Sequence, residues 1–98
     1  LALYYDFDPA GMAMALSWGR GHILVPQGWT ALDCSAAAGL SQRSTYRQQY
    51  AELKIAQAAA GTDQQHSILA FMAAHECAIM QEHITARALP LVAIAGFR

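Results

Sequence analysis

The sequence predicts an α/β domain in which a small parallel sheet is flanked by helices, and two observations lead to this fold class. Residues 1–5 form an apolar run without polar alternation, which is typical of a strand covered on both faces. A helix-like segment at 9–18 separates this run from a second short apolar run at 22–26. Strand, helix, strand is a βαβ unit with parallel strands. A chain of 98 residues is expected to form one domain with a single core.

Local signals predict the first elements. Asp8 and Pro9 indicate a helix start, because an aspartate caps the first backbone N–H groups and proline suits the first helical position. Gly19 is expected to end this helix. The segment from Gln27 to Leu40 lacks periodicity, so we expect irregular structure with a short helical turn, forming a lid near the site.

A second helix is predicted over Ser41 to Ala60 and a third over about Asp63 to Arg87. The third helix places Glu76 and His83 within its apolar arc, where they need polar partners. Residues 88–96 are apolar enough for a last buried strand, although coil or helix fits them equally. The core stripe predicted for the third helix consists of Ile68, Leu69, Met72, Ile79 and Met80.

One face of the second helix carries a basic stripe. Its members follow one another at intervals of four, three and four residues, so they line up along the helix. Such a stripe can follow a DNA backbone, and it can equally be an ordinary solvated face. The stripe consists of Arg43, Arg47, Tyr50 and Lys54, of which the three cations are the candidate DNA contacts.

Composition excludes several classes of protein. An apolar content of 55% with only 13% charged residues indicates an ordered domain, part of whose surface faces a partner protein, a second copy or an absent segment of the parent protein. The net charge of −1 excludes strong global basicity but leaves a local basic patch open. The longest apolar run is much shorter than the ~20 residues that span a bilayer, so we expect no membrane insertion.

The cysteines and histidines of the sequence do not complete a known metal-binding motif. Cys34 and Cys77 are far apart and belong to no C-x-x-C pair, so we expect neither a zinc ribbon nor a thioredoxin-type motif, and a cytoplasmic location. His75-Glu76 does not continue into H-E-x-x-H, because position 79 is isoleucine.

Asp6 and Asp8 at the end of the first strand are the strongest functional signal. Alternate side chains of a strand point the same way, so the two carboxylates lie on one side with their Cα atoms roughly 6–7 Å apart. Magnesium takes one or two carboxylates and keeps open positions for phosphate oxygens. Helix capping alone would explain Asp8 but does not require Asp6. Surface acids that bind nothing remain the alternative.

The segment Asp6-Phe7-Asp8-Pro9-Ala10-Gly11 resembles the Asp-x-Asp-Pro-x-Gly signature of Toprim domains. It is most similar to the branch found in the A subunit of type IIB topoisomerases and in the nuclease subunit of Wadjet-type plasmid-defence systems. The resemblance implies a small Rossmann-like domain whose two aspartates, with a glutamate on the preceding strand, bind Mg²⁺ or Mn²⁺ for DNA strand cleavage. It makes Asp6 and Asp8 catalytic metal ligands, and it implies that Gly11 keeps the first helical turn open near the metal.

The resemblance has two further implications. The glutamate-bearing strand would precede Leu1, so we expect the chain to be the C-terminal portion of a larger protein, inactive alone because its acidic triad is incomplete. The segment Met80-Gln81-Glu82-His83-Ile84 is similar to a glutamine-glutamate segment in the final helix of the plasmid-defence nucleases, which makes Glu82 a further catalytic candidate.

Two functions are therefore predicted. The first is magnesium-dependent cleavage of DNA phosphodiesters by a nuclease or topoisomerase-like domain. The alternative is a noncatalytic module that docks to partner subunits of a DNA-processing complex. A phosphatase or nucleotide-binding domain is less favoured, because no Gly-rich phosphate loop follows either predicted strand.

Overall fold

The computed structural model describes residues 2–97 and has the predicted α/β class. Three strands form one mixed sheet in the order β1, β2, β3. The strands are β1 (Ala2–Leu3), β2 (His22–Pro26) and β3 (Leu91–Ala95). The helices are α1 (Pro9–Trp18), α2 (Arg43–Gln48), α3 (Tyr50–Ala59), α4 (Asp63–His75) and α5 (Gln81–Ala86). No helix within residues 2–97 is both long and apolar enough to cross a membrane.

The N-terminal βαβ unit is confirmed. β1 and β2 are parallel, with Ala2 opposite His22 and Leu3 opposite Ile23. The helix between them begins at Pro9 and ends against Gly19, whose left-handed backbone (φ 66°) lets its N–H bond the Leu16 carbonyl at 3.1 Å. The predicted first strand was too long, since β1 ends at Leu3.

The prediction of an all-parallel sheet is wrong. β3 runs antiparallel to β2, from Leu91 opposite Pro26 to Ala95 opposite His22. The segment before β3 meets the C-terminal end of β2, where the Gln27 N–H donates to the Pro90 carbonyl at 2.8 Å. From there β3 runs back along β2 in the opposite direction. β3 lies at the edge of the sheet. It is not the buried strand that was predicted, because Ile94 is its only buried residue.

The long C-terminal helix predicted over 63–87 is two helices. α4 ends where Glu76 adopts a left-handed backbone (φ 49°), and α5 begins only at Gln81. Three consecutive residues between them, Cys77, Ala78 and Ile79, are all buried. Successive helical residues turn by about 100°, so one helix could not bury all three on a single face. Of the predicted core stripe, Ile68, Leu69, Met72 and Ile79 are buried, whereas Met80 is half-buried.

The helix predicted over 41–60 is also divided, into α2 and α3, with a break at Gln49. The preceding loop is irregular as predicted and contains two 3₁₀ turns, Trp29–Ala31 and Ala36–Ala38. Trp29 packs edge-on against Phe71 of α4, with ring centroids 5.4 Å apart. The role of this loop as a lid stays a prediction.

The core lies between the sheet and the helices. β3 is tied to α4 through the fully buried Gln65, whose Nε2 donates to the Ala95 carbonyl at 2.8 Å and to the Phe97 carbonyl at 3.2 Å. Buried polar groups need such partners, and Gln65 Oε1 accepts from Gly61 and Thr62. The largest fully buried side chains include Met12, Leu53, Ile68, Leu69, Met72, Ile79 and Ile84.

Candidate functional site

The two aspartates flank a backbone bridge. Phe7 and Ile79 exchange two hydrogen bonds, each of 2.9 Å from N to O, in an antiparallel pair. Both side chains are buried in the core. Since side chains alternate along extended backbone, Asp6 and Asp8 lie on the opposite side from Phe7. The bridge to Ile79 therefore fixes the backbone between the two aspartates, whose use as a joint metal site stays a prediction.

Asp6 is half-buried and is held by the start of α5. Its Oδ1 accepts a hydrogen bond of 2.6 Å from the Gln81 backbone N–H. The Gln81 side chain donates to the Tyr4 carbonyl at 3.3 Å, so one residue contacts the chain on both sides of Tyr5. Within residues 2–97, Asp6 Oδ2 receives no hydrogen bond.

Asp8 is the N-cap of α1 and is almost completely buried, with 3% of its surface exposed. Its Oδ1 accepts from the Gly11 N–H at 2.7 Å, and its Oδ2 accepts from Gln49 Nε2 at 3.1 Å. Gln49 Oε1 in turn accepts from the Ala10 N–H at 3.0 Å. The break between α2 and α3 thus brings one amide side chain to both polar groups at the start of α1.

The electrostatic environment raises the pKa of the Asp8 carboxyl. Burial is the main cause, and the nearby negative charges of Asp6 and Glu52 add to it. The hydrogen bonds from Gly11 and Gln49 oppose the shift. Within residues 2–97, no lysine, arginine or histidine forms an ion pair with either aspartate. Among the described residues, N–H donors therefore stabilise the two carboxylates, and no positively charged side chain pairs with them.

Gly11 is required by close packing. A Cβ at this position would collide with the Asp6 backbone carbonyl oxygen and lie 3.0 Å from Asp8 Oδ1. The motif glycine therefore lets the first turn of α1 approach the aspartate segment. Its further role of leaving room for a metal stays a prediction.

The structure brings only part of the predicted basic stripe together: Arg43 and Arg47 share a partner, and Lys54 does not. Arg47 Nε lies 2.9 Å from Glu76 Oε2, and Arg43 Nε lies 3.4 Å from Glu76 Oε1, so both guanidinium groups contact one carboxylate. The hydrogen bond from Arg47, with the charges of both arginines, lowers the pKa of Glu76 despite some desolvation. Lys54 lies beyond the break and places its Nζ 5.0 Å from the Tyr50 ring centroid.

The prediction that Glu76 and His83 share an apolar helical face is wrong, because they belong to different elements. Glu76 caps α4 and pairs with arginines, whereas His83 lies in α5 with a buried Nδ1 that has no hydrogen-bond partner among the described residues. Glu82, in the first turn of α5, is exposed. It is adjacent in sequence to Gln81, which contacts Asp6, and its catalytic role stays a prediction.

Three residues near the aspartates were not predicted as site residues: Gln49, Glu52 and Gln81. Of these, only Gln81 lay in a segment that the sequence had singled out, from which Glu82 was chosen instead. Gln49 and Glu52 are three residues apart at the start of α3, so they lie on the same helical face. An acidic residue in the first turn of α3 was the sequence signal for Glu52. The sequence did not show that this helical face points toward Asp8, which follows only from the contact between Gln49 and Asp8.

The two cavities described below lie away from the aspartates. Within the part of the chain that the structure describes, no three His, Cys, Asp or Glu side chains converge as a metal-binding group. A cavity of about 290 Å³ is lined by Leu16, Gly19, Ala59, Gln65, Gly96 and Phe97. Another of about 380 Å³ is lined by Leu32, Asp33, Cys34, Ser35, Arg43, Ala74 and His75. Neither cavity includes the two aspartates.

Comparison with known proteins gives one match. The family model "Domain of unknown function (DUF7281)" matches residues 1–93. No curated protein and no solved structure matches the chain. The matched region includes the aspartate segment, the arginine pair and most of β3. The chain therefore belongs to the DUF7281 family, whose function is unknown.

Proposed function

We propose that this domain cleaves DNA phosphodiesters with the help of Mg²⁺ or Mn²⁺ held at Asp6 and Asp8. One observation carries the proposal: two neighbouring carboxylates, one of them buried, have no ion-pair partner among the described residues. A buried carboxylate without an ion-pair partner is unfavourable, and a bound divalent cation commonly neutralises such a charge. The resemblance of the Asp6 to Gly11 segment to Toprim domains supports the same metal and the same substrate.

The two side chains fit a hydrated divalent cation. Asp6 Oδ2 receives no hydrogen bond from residues 2–97, and each Asp8 oxygen accepts one, which leaves a lone pair on each. Magnesium requires only one or two protein carboxylates because it keeps several waters. A third carboxylate, which the resemblance implies on a preceding strand, is therefore not required to bind the ion, although it would affect the rate of cleavage.

The chain's own groups would do three things in this reaction. Asp6 and Asp8 would hold the metal, which supplies stabilisation of the charge that develops on the scissile phosphate. Gln81 and Gln49 would orient the carboxylates through the hydrogen bonds described above. Exposed cations on α2 and α3 (Arg43, Arg47 and Lys54) would contact the DNA backbone. We further propose that the domain acts on cytoplasmic DNA, in the manner of the plasmid-defence nucleases it resembles.

Nicking of supercoiled plasmid by the full-length protein tests this proposal. Asp6→Asn keeps the size of the side chain but removes the charge, so we expect metal-dependent nicking to fall at least about 100-fold, as for loss of an essential metal ligand. Asp63→Asn makes the same chemical change at an exposed position in the first turn of α4 and should nick like wild type. Thermal unfolding of both variants establishes that they are folded.

The alternative is a noncatalytic assembly module, and β3 favours it. This edge strand exposes Leu91 and Val92, and Phe97 beyond it is 47% exposed. An edge strand with apolar side chains is a common place for another chain to pair. If folded wild-type protein fails to nick plasmid with either metal, the assembly module becomes the better explanation.

A further inference from the structure

We propose that Arg43 and Arg47 form a phosphate-binding clamp that the Glu76 carboxylate occupies in the free protein. A backbone phosphate of DNA would displace Glu76 and take its place between the two guanidinium groups. This inference deepens the proposed function and rests on its choice of DNA as the substrate. It assigns Glu76 the role of a built-in competitor for the substrate phosphate.

The geometry of the cluster suits a phosphate. Arg43 and Arg47 are four residues apart on α2, so their side chains leave the same face of the helix. Arg47 contacts both carboxylate oxygens of Glu76, at 2.9 Å from Nε and 3.4 Å from Nη2, and Arg43 adds a contact of 3.4 Å. Guanidinium groups bind carboxylates and phosphates in the same two-oxygen manner, so the group that holds Glu76 also suits a phosphodiester.

Displacement of Glu76 would cost little. The side chains of Arg43 and Arg47 are 54% and 66% exposed, and that of Glu76 is 31% exposed. Ion pairs between side chains that reach water typically contribute little to stability, and an incoming phosphate would restore to both arginines the contacts that Glu76 gives up. The left-handed backbone of Glu76 stays in place when its side chain leaves, since the Cys77 N–H is bonded to the Met72 carbonyl at 2.9 Å. Only the side chain needs to move.

The clamp is close enough to the aspartates to act on the same strand. Glu76 begins the segment whose Ile79 pairs with Phe7 and whose Gln81 N–H contacts Asp6. Five residue steps span at most about 18 Å of extended chain. Charges on one DNA strand follow each other every ~3.4 Å along the helix axis, so the backbone of Glu76 lies within about five nucleotides of that of Gln81, whose N–H contacts Asp6.

Binding of a fluorescently labelled DNA duplex, followed by anisotropy in EDTA to prevent cleavage, tests the clamp with full-length protein. Glu76→Gln removes the competing charge and should tighten binding by about two- to fivefold. Arg47→Gln should weaken binding and reduce the slope of log affinity against log salt by about 0.9, the value of one lost phosphate contact. Arg43→Gln should act in the same direction.

Two matched variants control for net charge. Asp63→Asn removes one negative charge, as Glu76→Gln does, but at the opposite end of α4. Arg20→Gln removes a cation outside the clamp, whose guanidinium lies 5.9 Å from the Trp18 ring centroid. Affinity for Glu76→Gln no higher than for Asp63→Asn would overturn the clamp, as would a wild-type salt slope for Arg47→Gln or no DNA binding by wild type. The expected binding pattern without plasmid nicking would support the clamp while contradicting the proposed cleavage.

Discussion

At the scale of single residues, Gly11 determines how closely α1 approaches the aspartate segment. Glycine to alanine inside a helix normally stabilises by up to about 1 kcal/mol, but here the added methyl meets the Asp6 carbonyl oxygen. We expect Gly11→Ala to lower the free energy of unfolding by at least about 2 kcal/mol, measured by urea denaturation.

Gly19→Ala provides the comparison for this variant. Gly19 has a positive φ of 66° but no atom within 4 Å of an added Cβ, so its substitution carries backbone strain of about 1 kcal/mol without a collision. If Gly11→Ala proves no more destabilising than Gly19→Ala, the turn must relax around the methyl, and the close approach would not explain the motif glycine.

Asp8 makes stability depend on pH in a direction that is unusual for an aspartate. Its native pKa is raised above the ordinary value of 3.8, mainly by burial, so the unfolded chain loses this proton first. The stability contributed by protonated Asp8 is therefore fully present below about pH 3.8 and is lost as the pH rises through the native pKa.

The variant Asp8→Asn cannot titrate and isolates this effect. As the pH rises through that window, we expect the free energy of unfolding of wild type to fall relative to that of Asp8→Asn. Urea denaturation of both proteins at a series of pH values measures the difference. A difference that is constant with pH, or that grows in favour of wild type, would contradict a raised native pKa.

At the scale of elements, the break between α2 and α3 is held by Gln49. Its side-chain amide donates to Asp8 Oδ2 and accepts from the Ala10 N–H. These two hydrogen bonds connect the break between α2 and α3 to the start of α1. Gln49→Ala removes two partly buried hydrogen bonds, one of them to a carboxylate. We expect a loss of about 2 kcal/mol or more in the free energy of unfolding.

The neighbouring Gln48→Ala is the control, because Gln48 is exposed and has no side-chain hydrogen bond among the described residues. It should stay within about 0.5 kcal/mol of wild type by chemical denaturation. Equal stability of the two variants would mean that the contact between Gln49 and Asp8 does not hold the two helices against α1.

Local sequence signals explain why some elements were predicted and others were not. Asp8, Pro9 and Gly19 act on the helix they border, so α1 was predicted with its exact bounds as Pro9–Trp18. The end of α4 has no glycine or proline. Glu76 takes a left-handed backbone there, which side chains other than glycine rarely adopt, because Ile79 must reach Phe7. A contact between distant segments therefore overrides the local helical preference.

At the scale of the whole molecule, the same distinction separates the predicted from the unpredicted parts of the site. Asp6, Asp8 and Gly11 lie in six consecutive residues, so spacing alone brings them together. Gln49 and Gln81 reach the same point from 41 and 75 residues away, and nothing in their own sequence neighbourhood specifies that meeting. The antiparallel direction of β3 was unpredictable for the same reason, because it depends on which end of β2 the chain reaches.

The hydrogen bond between Asp6 and Gln81 has a consequence for protein synthesis. The two residues are separated by 75 positions, and ribosomes add about 5 to 20 residues per second. The acidic motif therefore emerges about 4 to 15 seconds before the residue that holds it. A translation product that stops short of Gln81 carries the recognisable motif without the assembled site, so an assembled site indicates that synthesis has passed Gln81.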